Sequence, residues 1–150
     1  MAYKAIDIAN AFIQKAQEKD IELSNMKLQK LLYYLQGWYL AVKGEEVFPE
    51  EFKKWAWGPV VPPVYNKFRS YKADSIKQPH GTPTNIPEDI SKAMDFVLKH
   101  YGRYTAVQLA DLSHKEDPYL NTEDYETISK VEILKYFSAL REQLYPTGNA

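Results

Sequence analysis

The chain should fold as a mainly α, single compact domain, and three features of its sequence say so. Four long segments carry apolar residues at helical spacing, each bounded by a residue that starts or stops a helix. One of them, residues 25–43, is apolar on more than one face, which places it at the centre with neighbours on at least two sides. Only one short aromatic stretch, near residues 46–57, reads as extended. The expectation is five or six helices around the central helix 25–43, with a small extended or β-hairpin element near 46–57.

The elements follow in order. Ile8, Ala9, Phe12, Ile13 and Ala16 recur at helical spacing and predict a first helix over 5–19. Ser24 or Asn25 supplies the N-cap of the second, because either side chain can accept an orphan backbone N–H. Leu28, Leu31, Leu32, Leu35, Tyr39 and Val42 then form one continuous stripe assigned to the core. Gly44 ends the helix as its left-handed C-terminal residue. Gly37, inside it, costs about 1 kcal/mol relative to Ala and implies close approach of another backbone. Tyr33, Tyr34 and Trp38 lie off the stripe and can serve either the core or a partner.

Beyond Gly44 the pattern changes. Glu51–Trp57 is short and aromatic and ends at Gly58-Pro59; if it is extended, Trp55 and Trp57 share one face. Pro62 or Pro63 opens a third helix, since proline lacks the N–H that a first turn leaves unpaired. Residues 73–87, with three prolines and several small polar residues, predict an exposed, mobile loop carrying a solvent-exposed His80. Ile90, Ala93, Met94, Val97, Leu98 and Tyr101 make the apolar face of a helix over 88–101. Thr105-x-x-Gln108 is a capping box opening a short helix with Val107, Leu109, Ala110 and Leu112 as apolar residues. His114 to Tyr119 reads as a polar turn that Pro118 closes, with His114 pinning it by a structural hydrogen bond. Residues 121–127 read as irregular. Ser129-x-x-Glu132 is a second capping box, and Val131, Leu134, Tyr136, Phe137, Leu140 and Leu144 define the last helix before a frayed tail, 144–150.

Chemistry is sparse. The chain has no Cys, which excludes a disulfide framework and a thiolate centre. Phosphate-loop, dinucleotide-binding, zinc-protease and EF-hand motifs are absent, so no cofactor is implied. His80, His100 and His114 are far apart, and no metal-ligand spacing connects them. Ser113 and His114 beside Asp111 and Asp117 suggest a triad only by adjacency, and neighbouring helical residues point about 100° apart. With 19 basic and 20 acidic residues the chain lacks the basic excess of a nucleic-acid binder; Lys53-Lys54 beside Trp55 is the one local exception. No apolar run approaches a signal peptide or a membrane span, which predicts a soluble, cytoplasmic protein without a membrane partner. Twelve Tyr and three Trp, against six Phe, favour half-buried positions and binding surfaces.

Two long motifs carry a family resemblance. Asn25-Met26-Lys27-Leu28-Gln29-Lys30-Leu31-Leu32-Tyr33-Tyr34-Leu35-Gln36-Gly37-Trp38-Tyr39-Leu40 resembles the signature helix of the Panacea domain, the family that includes SocA-like antitoxins. Trp55-Ala56-Trp57-Gly58-Pro59-Val60-Val61-Pro62-Pro63-Val64-Tyr65 looks like its second block, and Tyr101–Leu109 followed by His114–Tyr119 like its third. One departure is the acidic turn Glu116-Asp117-Pro118-Tyr119. The resemblance covers nearly the whole chain, 1–150.

What it implies is an antitoxin, not an enzyme, that neutralises a cognate toxin by direct contact; a homo-oligomer is left open. The alternative is a phage-associated nucleic-acid-binding regulator or accessory protein. Tyr33, Tyr34, Trp38, Trp55, Trp57 and Tyr65 are the candidate partner-binding residues, because Trp and Tyr are enriched at binding hot spots. Gly44, Gly58, Pro59, Pro62, His114 and Pro118 are the expected structural positions.

Overall fold

The computed structural model describes residues 3–81 and 85–146. The tail beyond Pro146 and residues 82–84 of the expected mobile loop lie outside them. Among the described residues there are seven α-helices and a small three-stranded antiparallel sheet, so the fold is mainly α. The helices are α1 (Ala5–Glu18), α2 (Asn25–Lys43), α3 (Pro62–Lys67), α4 (Glu88–Tyr101), α5 (Ala106–His114), α6 (Asp117–Leu120) and α7 (Lys130–Leu144). The strands are β1 (Phe52–Trp55), β2 (Gly58–Val60) and β3 (Thr127–Ile128), in the order β2-β1-β3. The one helix beyond the expected six is α6, a single turn started by Pro118 where the sequence predicts only a polar turn.

α2 is the axis of the molecule. Ser24 Oγ accepts from the Lys27 N–H at 3.2 Å, and Gly44 closes the helix at φ 74° with its N–H on the Leu40 carbonyl. Both ends behave as their residue types dictate. Between them nearly every residue from Asn25 to Leu40 is buried, with α1, α3, α4, α5, α7 and β2 all in contact. Val42 departs from the stripe: it is 51% exposed, on an open groove between α2, α4 and α7. Gly37 also differs from expectation. What approaches it is no backbone but the Phe137 ring of α7, whose Cδ2 and Cε2 lie 2.3 Å from where a Cβ would stand.

The hairpin sits at 52–60, later than the expected 46–57. Trp55 pairs with Gly58, so Ala56 and Trp57 form a two-residue loop, and Trp57 is the turn rather than the end of a strand. Trp55 and Trp57 therefore do not share a strand face. A two-residue hairpin loop usually needs positive φ at its central positions. Here the left-handed value falls one residue late, on Gly58 at φ 112°. A Cβ on Gly58 would also stand 2.3 Å from Lys30 Cε and 3.0 Å from Ser113 Oγ. Lys30 is fully buried, with its Nζ on the Pro59 carbonyl, so its side chain is held against Gly58. Gly58→Ala should therefore lower stability by about 2–4 kcal/mol, from backbone strain and overpacking together, read as a fall in the urea midpoint; an unchanged midpoint would refute the close approach.

Other differences have local causes. His80 is not solvent-exposed: its backbone N–H donates to Asn10 Oδ1 at 2.9 Å, its carbonyl accepts from Asn10 Nδ2 at 3.2 Å, and its ring lies 4.7 Å from that of Phe68. The loop is tied down further by the Ile76 N–H on the Leu23 carbonyl at 2.7 Å. The capping box at Thr105 and Gln108 is complete. The one at Ser129 is half made: Ser129 Oγ accepts from the N–H groups of Val131 and Glu132, but the Glu132 carboxylate turns away to accept from Asn121 Nδ2. On α5, Val107 is exposed; on α7 the inward residues are Ile133 and Phe137, while Val131 and Leu134 face water.

Candidate functional site

The polar side chains of α2 explain how the irregular segment after Gly44 is held. Gln36 Nε2 donates to the Phe48 carbonyl at 2.8 Å, and its Oε1 accepts from the Val47 N–H at 2.7 Å. Gln29 Oε1 accepts from the Val61 N–H at 2.9 Å and its Nε2 donates to Asn25 Oδ1; Asn25 Nδ2 in turn donates to the Tyr65 carbonyl at 2.9 Å. Buried side-chain amides thus satisfy backbone groups on either side of the β1–β2 hairpin, at Val47, Phe48, Val61 and Tyr65. This role was missed in the sequence reading. The available signal was that a helix apolar on several faces must bury whatever amides it carries.

The same helix buries a cation. Lys30 Nζ donates to the Pro59 carbonyl at 3.3 Å, and burial pulls its pKa down to about 7. Further along, the Tyr34 hydroxyl donates to Glu116 Oε2 at 3.1 Å. Burial drives the Glu116 carboxyl up to about 8, against the hydrogen bonds of Tyr34 and Tyr33, which favour its charged form. Tyr33 Oη and Glu116 Oε1 reach no good hydrogen-bond geometry, although burial and then the Glu116 charge raise the Tyr33 pKa. Two buried groups of opposite type, Lys30 and Glu116, are therefore held near neutrality by desolvation.

The six candidate partner residues divide sharply. Tyr33 and Tyr34 are fully buried, in edge-on contact with the Phe137 ring at 5.6 and 5.9 Å, and Tyr34 stacks on Tyr101 at 4.1 Å. Trp38 is buried too, its indole N–H on the Tyr101 hydroxyl at 2.9 Å. Tyr33 and Tyr34 build the core and offer no surface of their own, while Trp38 keeps only an edge open, 5% exposed. Trp55 and Tyr65 are half-buried against each other, ring centroids 4.9 Å apart, with the Trp55 carbonyl accepting from the Tyr119 hydroxyl. Trp57 alone stands out, 66% exposed. It borders a shallow depression of about 250 Å³ with Met26, Ala106, Val107 and Ala110. The hairpin tip and the outer face of α5 thus form one apolar patch.

His114 does not pin its turn by a hydrogen bond. Its ring stacks on Tyr119 at 4.5 Å, and its buried Nε2 has no partner. Ser113 Oγ donates to the Ala110 carbonyl at 2.9 Å, so it caps its own helix turn. Lys53 and Lys54 are committed within the molecule. Lys53 Nζ donates to Thr127 Oγ1 at 2.7 Å; Lys54 Nζ donates to the Thr122 carbonyl at 2.8 Å and lies over the Tyr119 ring. A phosphate backbone would have to break those contacts. Among the described residues no group of three or more His, Asp or Glu could hold a metal ion, and no helix is long and apolar enough to cross a membrane.

The family model for "Antitoxin SocA-like, Panacea domain" matches residues 28–119, more than half of the chain. The chain belongs to the SocA-like Panacea family. Antitoxin SocA of Caulobacter vibrioides (strain NA1000 / CB15N) is a relative 36% identical over 120 residues, covering 71% of this chain and 63% of that protein. The chain thus spans less than two thirds of the relative's length. No solved structure matches. The matched Panacea segment runs from Leu28 in α2 to Tyr119 in α6, so it contains the hairpin, Trp57 and the buried Lys30 and Glu116. α1 and α7 lie outside it.

Proposed function

We propose that the chain is an antitoxin: a non-enzymatic protein that binds a cognate toxin directly in the cytoplasm and thereby neutralises it. The observation that carries this is the Trp57 patch. A large aromatic at the tip of a tight hairpin contributes little to its own fold, yet it sits inside the Panacea segment beside exposed Val107. Exposed Trp bordered by Met26, Val107 and alanines, with Ser24 and Lys72 at the edge, has the composition of an interface hot spot. The name of the relative, Antitoxin SocA, agrees with this reading.

The test is co-expression with the product of the neighbouring gene. That gene should arrest growth alone and be harmless together with this one. Trp57→Ala should leave the melting temperature within about 2 °C, as for other surface substitutions. It should weaken toxin binding by about 2 kcal/mol, roughly thirtyfold, and growth rescue should fail. A Trp57→Ala variant that still rescues fully would move the interface elsewhere.

A further inference from the structure

At the opposite end of α2 from Trp57 lies an open groove of about 500 Å³ between α2, α4 and α7. Met26, at the Trp57 patch, and Val42, at this groove, are separated by about 24 Å of helix at 1.5 Å per residue. Its floor and walls are Trp38, Val42, Ala93, Phe96 and Tyr145. Val42 and Tyr145 are each about half exposed, so the apolar lining is left open to water. Trp38 holds the floor rigid: its indole N–H is fixed on Tyr101, and its ring meets Phe96 at 5.4 Å and Phe137 at 5.7 Å.

The charges that line this floor are mostly positive. Lys43, Lys92 and Arg141 line the groove against a single carboxylate, Asp89. That carboxylate is already engaged, accepting from the Tyr39 hydroxyl at 3.0 Å and from the Ile90 N–H at 2.8 Å, with Lys43 Nζ at 3.9 Å. The Tyr39 hydrogen bond is the main reason its pKa lies below the usual carboxylate value, so it stays ionised and spoken for. Lys92 faces Glu88 at 3.6 Å, a pair mostly in water and of small value. Arg141 spends one Nη1–H on the Ala41 carbonyl at 3.3 Å, and a guanidinium has five N–H donors.

From this we infer that the groove binds an acidic amphipathic peptide segment of the partner protein, its apolar side chains on the Trp38–Phe96 floor and its carboxylates toward Lys43 and Arg141. The inference rests on the protein-binding reading above and adds a second contact at the far end of α2. An open groove with half-exposed walls suits the apolar face of a helix or an extended segment. A small ligand would be left largely in water, whereas small-molecule sites enclose most of their ligand. One wall, α7, lies outside the matched family segment. The groove is therefore built partly by residues beyond that segment.

The probe is a short synthetic amphipathic peptide of Leu, Trp, Asp and Glu, titrated into the ¹⁵N-labelled full chain. Amide and indole shifts should concentrate at Trp38, Val42, Ala93, Phe96 and Tyr145. Binding should weaken with salt, and by about tenfold in Lys43→Ser/Arg141→Gln, where rim charges are lost. Ala93→Trp, which fills the groove, should abolish it. Shifts remote from both sites report that each variant remains folded. Equal binding of the same peptide with Lys in place of Asp and Glu would overturn the proposal. So would tighter binding of dodecanoate than of the peptide, or groove shifts that grow with protein concentration in the absence of peptide. The titration needs no toxin: a groove that binds while neutralisation fails contradicts only the antitoxin reading, and the reverse contradicts only this one.

Discussion

Phe137→Ala should cost about 3–5 kcal/mol, the usual penalty for emptying a buried aromatic site, and lower the melting temperature by roughly 10 °C for a chain of this size. Phe137 is fully buried, and its ring is in contact with those of Tyr33, Tyr34, Trp38 and Tyr136. It is also the side chain that lies on Gly37. Gly37→Ala brings a methyl to within 2.3 Å of that ring, which the four neighbouring rings prevent from receding. Overpacking of this kind costs about 1–3 kcal/mol, offset by the gain of about 1 kcal/mol that Ala brings to a helix interior. The two changes should not add. In the double variant the new methyl enters the space the ring vacates, so the combined loss should fall at least about 1 kcal/mol short of the sum. Urea denaturation of the four proteins of the cycle measures this. Additivity, or a stabilised Gly37→Ala, would mean that α7 does not pack on α2 as described.

That contact also shows where sequence reasoning reaches and where it stops. The boundaries of α2 were legible because Ser24 and Gly44 act on their own backbone, and a cap needs no distant partner. The small residue at position 37 was legible as a close approach, but not the identity of what approaches, since Phe137 is a hundred residues away. The hairpin was placed too early for a physical reason. Its loop, Ala56-Trp57, carries no Asn-Gly or Asp-Gly signal, and Gly58 looked like punctuation when it is the first residue of β2. β3, two residues long, has no periodicity to read.

The site was legible in composition and not in placement. Six aromatics were flagged together because Tyr and Trp suit core edges and interfaces alike. Only tertiary burial separates Tyr33, Tyr34 and Trp38, which face α7 and α4, from Trp57 on its exposed turn. Val42 and Phe96 show the converse. The first was assigned to the core by helical spacing, and the second lay off the expected face of α4; both line the charged groove. Lys30 carries no sign of burial in its spacing, and its burial follows from α2 having a neighbour on almost every side.

Those buried groups give the chain a distinctive pH profile. Glu116 is raised by burial to about 8, above its value in an unfolded chain. Between about pH 4.5 and 8 the folded state therefore holds a proton that the unfolded state has released. Stability from this group is full below that window and lost as pH rises through it. Lys30 runs the other way. Burial lowers it to about 7, so between about 7 and 10.5 the unfolded chain holds the extra proton. Its contribution is full above the window and lost as pH falls through it. Each group alone gives a slope of up to about 1.4 kcal/mol per pH unit, and the slopes oppose each other between 7 and 8. From these two groups the stability curve should fall from pH 5 to about 7, flatten, and rise from about 8 to 10. Many proteins are instead most stable near neutrality. Glu116→Gln keeps an acceptor for the Tyr34 hydroxyl and removes the titration, so it should erase the acid limb and leave the alkaline limb intact. Lys30→Met, apolar and similarly long, should do the reverse. Urea midpoints of the three proteins at pH 5, 7.5 and 9.5 decide it. A wild-type curve highest at 7.5, with neither variant changing its shape, would show that these side chains are reached by water in solution and are not held as the fold places them.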